Sequence, residues 1–581
     1  MKRLLRPETL FFLLVWFMLL IAFRERGFWD PGSLWHIKVG DIILTQGMPQ
    51  TDPFSYTMEN KPWVPQQWGA EVLMSLTHSV GGFDLLLLAF STGIALLFTL
   101  IFRRCIVSPS RDIPGTTIGG GMGPMLAALV VGASIFVGAF HYYVRPHMFT
   151  IVLLGWTMMC IIDYERGWCS IRRLAALIPL YVIWTNLHGG VLGGTMSLGL
   201  AVAGWGILFL ASGGRESPDV LEKNQGTHVP RSPIHNWRTA WLLVGIVVAC
   251  LLTPLLNPHG LKMLDIWYRL LVSKVMPAVI SEHKPMDVTS EVGMMIVGLG
   301  VFYIALLLGT RLPRECRVPG IEIAESGVLP VPGTRYPVPA FRVSWLIPLV
   351  WLLLTFKSIR QGPLFTITAA VCIADMWRYT CWHRYLVKNG DGSLAWNPED
   401  DPARLAMVRN GNRWWVIPAT LVLLAFALQL MRVPVPIIGH GWVRFDKDFV
   451  PVDMNDEVNK YMESVPPGTH IFNDLDLGGY MIWFAPKLKI YMDDRCELYG
   501  DDMLKEYADA IKLPPEKFDV VFEGWREKWK FERAIIWSEP KDEAKPNDGK
   551  PMMEVYFLSH PERWREVARG KRAVMFELVK K

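Results

Sequence analysis

Apolar runs of bilayer length are the feature that most limits how this chain folds. Eleven of them occur within the first 431 residues, and most approach the roughly 20 residues that an α-helix needs to cross a membrane. With 51% hydrophobic and only 19% charged residues, the chain is predicted to form a helical membrane bundle. The runs are 8–23, 83–102, 124–142, 147–163, 174–188, 190–211, 239–256, 292–310, 343–356, 363–377 and 414–431.

Arginine and lysine residues concentrate in alternate loops, which orients the bundle because cytoplasmic loops are enriched in positive charge. The N-terminus is therefore predicted to be cytoplasmic, and the odd number of helices puts the C-terminal region outside. The first run lacks a small-x-small cleavage site, so we expect it to be a retained anchor. The basic residues are Lys2, Arg3, Arg6, Arg103, Arg104, Arg111, Arg166, Arg172, Arg173, Arg215, Lys223, Arg231, Arg311, Arg314, Arg317, Arg378, Arg384 and Arg404.

Two domains are predicted: a membrane bundle over 1–432 and a soluble domain over 433–581. The bundle has a long first external loop at 24–82, and its loops 212–238 and 311–342 are predicted to be cytoplasmic. The first loop is predicted to hold helices at 33–46 and 66–79, and the tail to be an α/β unit. Its predicted strands are Thr469–Phe472, Lys489–Met492, Asp519–Phe522 and Arg533–Trp537, with helices at 478–485 and 501–511. The net charge of +5 is modest, and its positive residues lie in cytoplasmic loops, so no nucleic-acid partner is expected.

Two aspartates stand out in the first external loop. Asp30 directly follows the first apolar run, within Trp29-Asp30-Pro31-Gly32-Ser33-Leu34-Trp35-His36, and Asp52 lies in Thr51-Asp52-Pro53-Phe54-Ser55. Each carboxylate is a candidate general base at the membrane surface. The alternative is that both belong to turns, since Asp and Pro favour them.

A second group of motifs provides cations and imidazoles on the same predicted face. Arg145-Pro146-His147 lies in a very short external loop, and Lys357 and Arg360 lie in another. A guanidinium can hold phosphate through two parallel hydrogen bonds, so Arg145, His147 and Arg360 are candidate phosphate ligands. Snorkelling of the arginines to lipid headgroups is the alternative.

Neutral polar groups recur in further external turns. Asn186-Leu187-His188-Gly189-Gly190 and Leu256-Asn257-Pro258-His259-Gly260 share Asn, His and Gly, and Glu282-His283 adds a carboxylate. These groups could line a sugar pocket, although such turns are often only helix caps. The candidate sugar-binding or acceptor-binding residues are His36, Asn186, His188, Asn257, His259 and Glu282.

The tail carries acidic motifs for which a structural role is the preferred interpretation. They are Asn473-Asp474-Leu475-Asp476-Leu477-Gly478-Gly479-Tyr480 and Asp493-Asp494-Arg495. Paired carboxylates could also bind a divalent cation such as Mg²⁺ or Mn²⁺, but no third ligand follows at a fixed spacing, so the metal stays unassigned. The chain has no P-loop, G-x-S-x-G, H-E-x-x-H or Rossmann motif.

Together these motifs resemble the GT-C superfamily of polytopic membrane glycosyltransferases, in a bacterial branch without an assigned substrate. The resemblance covers nearly the whole chain. It implies a cytoplasmic N-terminus, an acidic residue in the first external loop that is required for activity, and an outer C-terminal domain. Asp30 matches the position of that acid. Many relatives have an acidic pair there, whereas Pro31 follows Asp30 here, which leaves Asp52 as a competitor.

The resulting hypothesis is an inverting sugar transfer from a polyprenyl-phosphate donor to a glycan, lipid or protein acceptor on the external face of the inner membrane. Asp30 or Asp52 would be the base, and Arg145, His147 and Arg360 would hold the phosphate. The alternative is a scaffold or transporter that binds a lipid-linked or envelope partner without catalysis. A transporter should carry charges deep within its helices and often repeat symmetry, and this sequence shows neither.

Overall fold

The computed structural model describes most of the chain. The described residues are 6–109, 118–119, 121–211, 232–310, 342–390, 393–396, 413–538 and 552–580. Of the predicted cytoplasmic loops 212–238 and 311–342, residues 212–231 and 311–341 lie outside these residues.

A bundle of apolar helices makes up the first three quarters of the chain and confirms the predicted fold class. Among the described residues, seven helices are long and apolar enough to cross a membrane: Pro7–Arg26, Trp68–Ile106, Pro124–His141, His147–Glu165, Val191–Ala211, Trp237–Leu256 and Glu291–Leu308. Four shorter helices match the remaining predicted runs: Leu177–Leu187, Ile347–Lys357, Gly362–Met376 and Val416–Leu430. Large apolar side chains cover the outside of the bundle, for example Phe136 and Leu308, which are 67% and 80% exposed. Such a surface requires lipid, so the chain is an integral membrane protein, while the span count of eleven stays a prediction.

The arginine-rich loops share one end of the bundle. Arg104, before the loop that follows the second run, pairs with Asp163 at the end of helix His147–Glu165. Arg166, directly after that helix, pairs with Asp375 near the loop that follows the tenth run, with Nη2 2.6 Å from Oδ1. Alternate loops therefore meet at the same end, as the charge pattern predicts. Which side of the membrane that end faces stays a prediction.

The first loop is largely helical, and a glycine separates it from the next membrane segment. Helix Gly32–Gln46 and the first part of helix Trp68–Ile106 confirm the two predicted loop helices. The long helix breaks at Gly82, whose φ of +66° is easily reached only by glycine. Just beyond the break, the Asp84 carboxylate accepts hydrogen bonds from the backbone N–H groups of Gly441, Trp442 and Val443, at 2.8 to 2.9 Å. Asp84 thus fixes the segment that leads from the last bundle helix into the C-terminal domain.

The C-terminal domain is a five-stranded sheet covered by helices, which confirms the predicted α/β unit. The strand order is Leu488–Ile490, Thr469–Asn473, Arg533–Trp537, Ala573–Leu578 and Trp564–Arg569; the first three strands are parallel, and the last two form an antiparallel hairpin. The helices are Asn455–Ser464, Gly478–Phe484, Cys496–Ala510, Pro515–Trp529 and Met552–Ser559.

One predicted strand of this domain is wrong. Residues Asp519–Phe522 lie inside helix Pro515–Trp529. Phe518, Phe522 and Trp525 are all buried, and their spacing of four and three residues is that of one helix face. A run of four residues is compatible with a strand or a helix. Only the spacing of the buried residues over a longer segment, here 518–525, distinguishes the two.

Smaller elements complete the described chain. The remaining helices are Ile171–Ala175, Leu261–Val272, Met276–Val279 and Cys381–Asn389; the 3-10 turns are Ala139–His141, Thr253–Leu256, Ser281–His283, Val343–Leu346, Ile359–Gln361, Trp377–Tyr379, Val452–Met454 and Leu475–Leu477; and the two-residue strands are Ser108–Pro109, Ile118–Gly119, Gly121–Met122 and Ala395–Trp396.

Candidate active site

The first loop is joined to the edge strand of the C-terminal sheet. The Ile490 N–H donates to the Phe54 carbonyl, and the Tyr56 N–H donates to the Ile490 carbonyl, both at 3.1 Å. The Lys489 ammonium donates to the Pro53 carbonyl at 2.7 Å. Loop and domain therefore form one continuous structure at this end of the bundle.

A buried ion-pair network lies beneath this junction and contains Asp52. The Arg495 guanidinium donates to Asp52 Oδ1 at 2.7 Å and to both carboxylate oxygens of Asp493, and all three side chains are fully buried. The other Asp52 oxygen accepts the Ser55 N–H at 2.8 Å and the Ser55 hydroxyl. Arg495 also stacks over the Trp63 ring at 4.6 Å. Each carboxylate oxygen of Asp52 thus already has partners, and the geometry is that of a structural anchor.

Asp30 lies in a different, more open cluster. One of its oxygens contacts Nη1 of Arg145, and the other accepts the Gly32 N–H at 2.7 Å. Nη2 of the same guanidinium is 3.5 Å from Oδ2 of Asp494, which comes from the C-terminal domain. The Trp35 indole N–H donates to the second Asp494 oxygen at 2.6 Å. The three charged side chains are 15 to 21% exposed, so a ligand can reach them.

Short contacts hold the two turns of this cluster together. The Val144 N–H donates to the Gly27 carbonyl at 2.9 Å, which places the turn with Arg145 beside the start of the first loop. The Trp29 ring stacks on Phe449 at 4.1 Å, which attaches the residue before Asp30 to the segment leading into the C-terminal domain.

Glycines allow the three charged groups to meet. A Cβ on Gly32 would lie 2.7 Å from an oxygen of Asp494 and 2.8 Å from an oxygen of Asp30. A Cβ on Gly479 would lie 2.3 Å from the Pro31 carbonyl oxygen. The Asp-Pro-Gly motif of the loop and the Gly-Gly-Tyr motif of the tail are therefore two sides of one contact. At Gly479 the Pro31 backbone leaves room only for a hydrogen, whereas a Cβ at Gly32 would displace the carboxylates of Asp30 and Asp494.

Histidines line the bundle side of the cluster. His147 Nε2 is 2.8 Å from the His141 carbonyl oxygen, and the two imidazole rings are 4.6 Å apart. The Gly190 N–H donates to His188 Nδ1 at 2.9 Å, which leaves the proton on Nε2 of His188. Arg145 lies within electrostatic range of all three imidazoles.

A second arginine approaches the same histidines. Arg360 Nη1 donates to His283 Nε2 at 2.8 Å, and Glu282 Oε1 lies 3.4 Å from His141 Nδ1. Burial, followed by the charge of Arg360, lowers the pKa of His283 to about 4, so its imidazole is neutral and accepts this hydrogen bond. Arg360 also lies within electrostatic range of His141 and His188. The structure therefore brings together the predicted phosphate ligands Arg145, His147 and Arg360.

The remaining predicted site residues are less central. His36 is buried, with Nδ1 3.0 Å from Glu71 Oε1, and burial lowers its pKa well below the usual value. Asn186 accepts the Trp68 indole N–H at 2.7 Å, and Asn257 accepts the His259 N–H at 3.0 Å within its own turn. In the described part of the chain, Asn186, Asn257 and His259 make no hydrogen bond or ion pair to Asp30, Arg145 or Arg360.

Two residues of this site were missed from sequence. Asp494 was assigned to a structural Asp-Asp-Arg motif, and only its contact with Arg145, 349 positions away in the chain, reveals its place. His141 stands at the end of an apolar run and belongs to no motif, but an ionisable residue within such a run is itself a signal. Across the ranges that the structure describes, no three His, Cys, Asp or Glu side chains are arranged to hold a metal ion.

No family model and no curated protein matches the chain. Among solved structures it is similar to ArnT from Cupriavidus metallidurans, determined with undecaprenyl phosphate bound. The two are 13% identical, the alignment covers 98% of this chain and 97% of that one, and the TM-score is 0.45.

Proposed function

We propose that this protein is a membrane glycosyltransferase that moves a sugar from a polyprenyl-phosphate donor to an acceptor hydroxyl, with inversion at the anomeric carbon. The observation that carries the proposal is the contact between Asp30 and Arg145 at a partly open end of a membrane bundle. A carboxylate beside a guanidinium provides a proton acceptor and a phosphate ligand within one site.

The reaction is a single displacement. Asp30 accepts the proton of the acceptor hydroxyl while the acceptor oxygen bonds to the anomeric carbon. The bond from that carbon to the phosphate oxygen breaks, and the phosphate keeps the electron pair. Arg145 and Arg360 stabilise the charge that develops on the phosphate, and attack from the opposite side inverts the configuration. Asp52 is the weaker candidate for the base because Arg495 and Ser55 occupy its oxygens.

The lipid tail of the donor has an apolar surface beside Arg360. Leu353 and Phe356, on the helix that precedes Arg360, are 69% and 41% exposed. A polyprenyl chain on this surface would bring its phosphate to Arg360 and Arg145. Because the Nε2–H of His147 already donates to the His141 carbonyl, a direct role of His147 towards the phosphate stays a prediction. His188 and Glu282 would bind the sugar. The roles of His36, Asn186, Asn257 and His259 towards sugar or acceptor, and that of a divalent cation, stay predictions.

The alternative is a non-catalytic protein that binds a lipid-linked partner at this site. One observation favours it: Asp30 already accepts hydrogen bonds from Arg145 and from the Gly32 N–H, so its carboxylate is not free in this state. A catalytic role requires that an incoming phosphate take over the contacts of Arg145 and release Asp30. A binding role requires no such release.

The test compares Asp30→Asn with wild type in membranes supplied with radiolabelled polyprenyl-phosphate sugars. We expect Asp30→Asn to lose transfer by about 10²- to 10⁴-fold, the usual contribution of a general base, while donor binding persists. Asp265→Asn is the matched control, because Asp265 forms an exposed ion pair with Arg269 on the surface helix Leu261–Val272. Repeating the assay with EDTA, and then with Mg²⁺ or Mn²⁺, tests the cation. Donor binding without transfer by wild type would support the scaffold instead.

A further inference from the structure

The proposed reaction makes no use of Asp494, although this side chain reaches the centre of the site. It lies on the loop that joins strand Leu488–Ile490 to helix Cys496–Ala510, and it contacts Trp35 and Arg145. Arg145 therefore faces one carboxylate from the first loop, Asp30, and another from the C-terminal domain. A phosphate group that approaches this guanidinium meets two carboxylates that already occupy it.

The charges around Asp494 make this competition strong. Asp493 is its chain neighbour, but Asp493 is neutralised by Arg495, which donates to both of its oxygens. The only cation that contacts Asp494 within the described residues is Arg145. The charged or titratable groups that interact with Asp494 from the elements around it are Arg145, Asp30, Asp493 and Cys496.

We infer that Asp494 controls phosphate binding at this site by competing, as a carboxylate, for the guanidinium of Arg145. The inference rests on the proposed function, because it takes Arg145 as a phosphate ligand. In the ligand-free site Asp494 neutralises Arg145 together with Asp30. When Asp494 loses its charge, Arg145 keeps only Asp30 as a partner, and a phosphate group can displace that carboxylate and release it.

The expected pH dependence follows from the ionisation of Asp494. Burial, partly offset by Arg145 and reinforced by Asp30, raises the pKa of Asp494 to about 7. Below that pH the carboxyl is neutral and leaves Arg145 available; above it the carboxylate competes. The affinity of the site for phosphate, as far as it depends on Asp494, should therefore fall as the pH rises through about 7. The second ionisation of a phosphate monoester, near pH 6, acts in the opposite direction, so wild type must be compared with a variant.

Asp494→Asn separates the charge from the architecture. An asparagine amide oxygen can still accept the Trp35 indole N–H, so the link between domain and loop is kept while the negative charge is lost. Asp494→Leu loses both. If Asp494 served only to hold the domain in place, the Asp494→Asn variant would bind phosphate as wild type does. The Asp494→Leu variant would then bind phosphate more weakly by the same factor at every pH.

The experiment measures binding of undecaprenyl phosphate to the full-length protein in nanodiscs at about pH 6 and about pH 8. Inorganic phosphate is titrated in parallel, which separates recognition of the headgroup from recognition of the lipid. We expect Asp494→Asn to bind about tenfold more tightly than wild type at the higher pH and equally at the lower one, a difference near that of one charge contact. Asp265→Asn should keep the wild-type profile.

The outcomes separate this inference from the proposed function. If Asp494→Asn binds as wild type or more weakly at the higher pH, competition by Asp494 is wrong while phosphate binding at Arg145 still stands. If Arg145→Gln binds as tightly as wild type, Arg145 is not the phosphate ligand, and both proposals fail. A matching effect with inorganic phosphate would show that the headgroup alone is recognised.

Discussion

Asp30 and Asp52 look alike in sequence, and the fold gives them different partners. Both precede a proline in the same loop. Asp52 is fully buried against Arg495, whereas Asp30 is 15% exposed beside Arg145. A buried carboxylate that neutralises a buried guanidinium contributes to folding, and an accessible one can exchange a proton with a ligand.

This difference predicts opposite results for the two substitutions. Asp52→Ala leaves Arg495 paired with Asp493 but removes the buried acceptor of its Nη1 group, so we expect it to lower the stability of the C-terminal domain by about 1 to 3 kcal/mol. Asp30→Asn should leave the thermal unfolding midpoint nearly unchanged and remove sugar transfer. The check is thermal unfolding of both variants in the same detergent, next to the transfer assay. A stable Asp52→Ala protein that fails in transfer would make Asp52 the base.

At the scale of elements, helix Gly478–Phe484 has to pack closely on the first loop. Gly479→Ala would place a Cβ 2.3 Å from the Pro31 carbonyl oxygen, and a backbone atom cannot move away as a flexible side chain can. We expect the loop and domain to separate, with faster hydrogen exchange at the amides of Tyr56 and Ile490 and with reduced transfer. Hydrogen exchange followed by mass spectrometry measures this directly.

The matched control for that variant is Gly524→Ala. Gly524 lies in helix Pro515–Trp529, and no atom lies within 4 Å of the position its Cβ would take. Alanine is a better helix former, so this change should be neutral or stabilise by up to about 1 kcal/mol. Unchanged exchange at Tyr56 and Ile490 in Gly479→Ala would mean that the close contact does not hold the loop.

The local sequence pattern predicts the strands and helices better than it predicts which of them come into contact. Strand Arg533–Trp537 was predicted with its observed bounds, because it is a compact apolar run between polar segments. The hairpin of Trp564–Arg569 and Ala573–Leu578 was not predicted, since charged residues interrupt its first strand. The clustering of Arg145, His147 and Arg360 followed from predicted topology. The contact of Asp494 with Arg145 could not be predicted, because nothing local links positions so distant in the chain.

For the whole molecule, the site lies at the end of the bundle opposite the arginine-rich loops. Arg104, Arg166 and their partners mark one end, while Asp30, Arg145 and the C-terminal domain mark the other. Positive charge is retained on the cytoplasmic side of membranes, so the site is predicted to face outwards. The donor sugar would then be used on the external face.

Labelling of single cysteines tests this orientation. Lys460→Cys places a thiol on the C-terminal domain, where the lysine side chain is 69% exposed, and Asn389→Cys places one at the exposed end of helix Cys381–Asn389. In intact cells a membrane-impermeant maleimide should label Lys460→Cys above the parent protein and should reach Asn389→Cys only after permeabilisation. The reverse pattern would put the site on the cytoplasmic face, where the acceptor would have to be a cytoplasmic one.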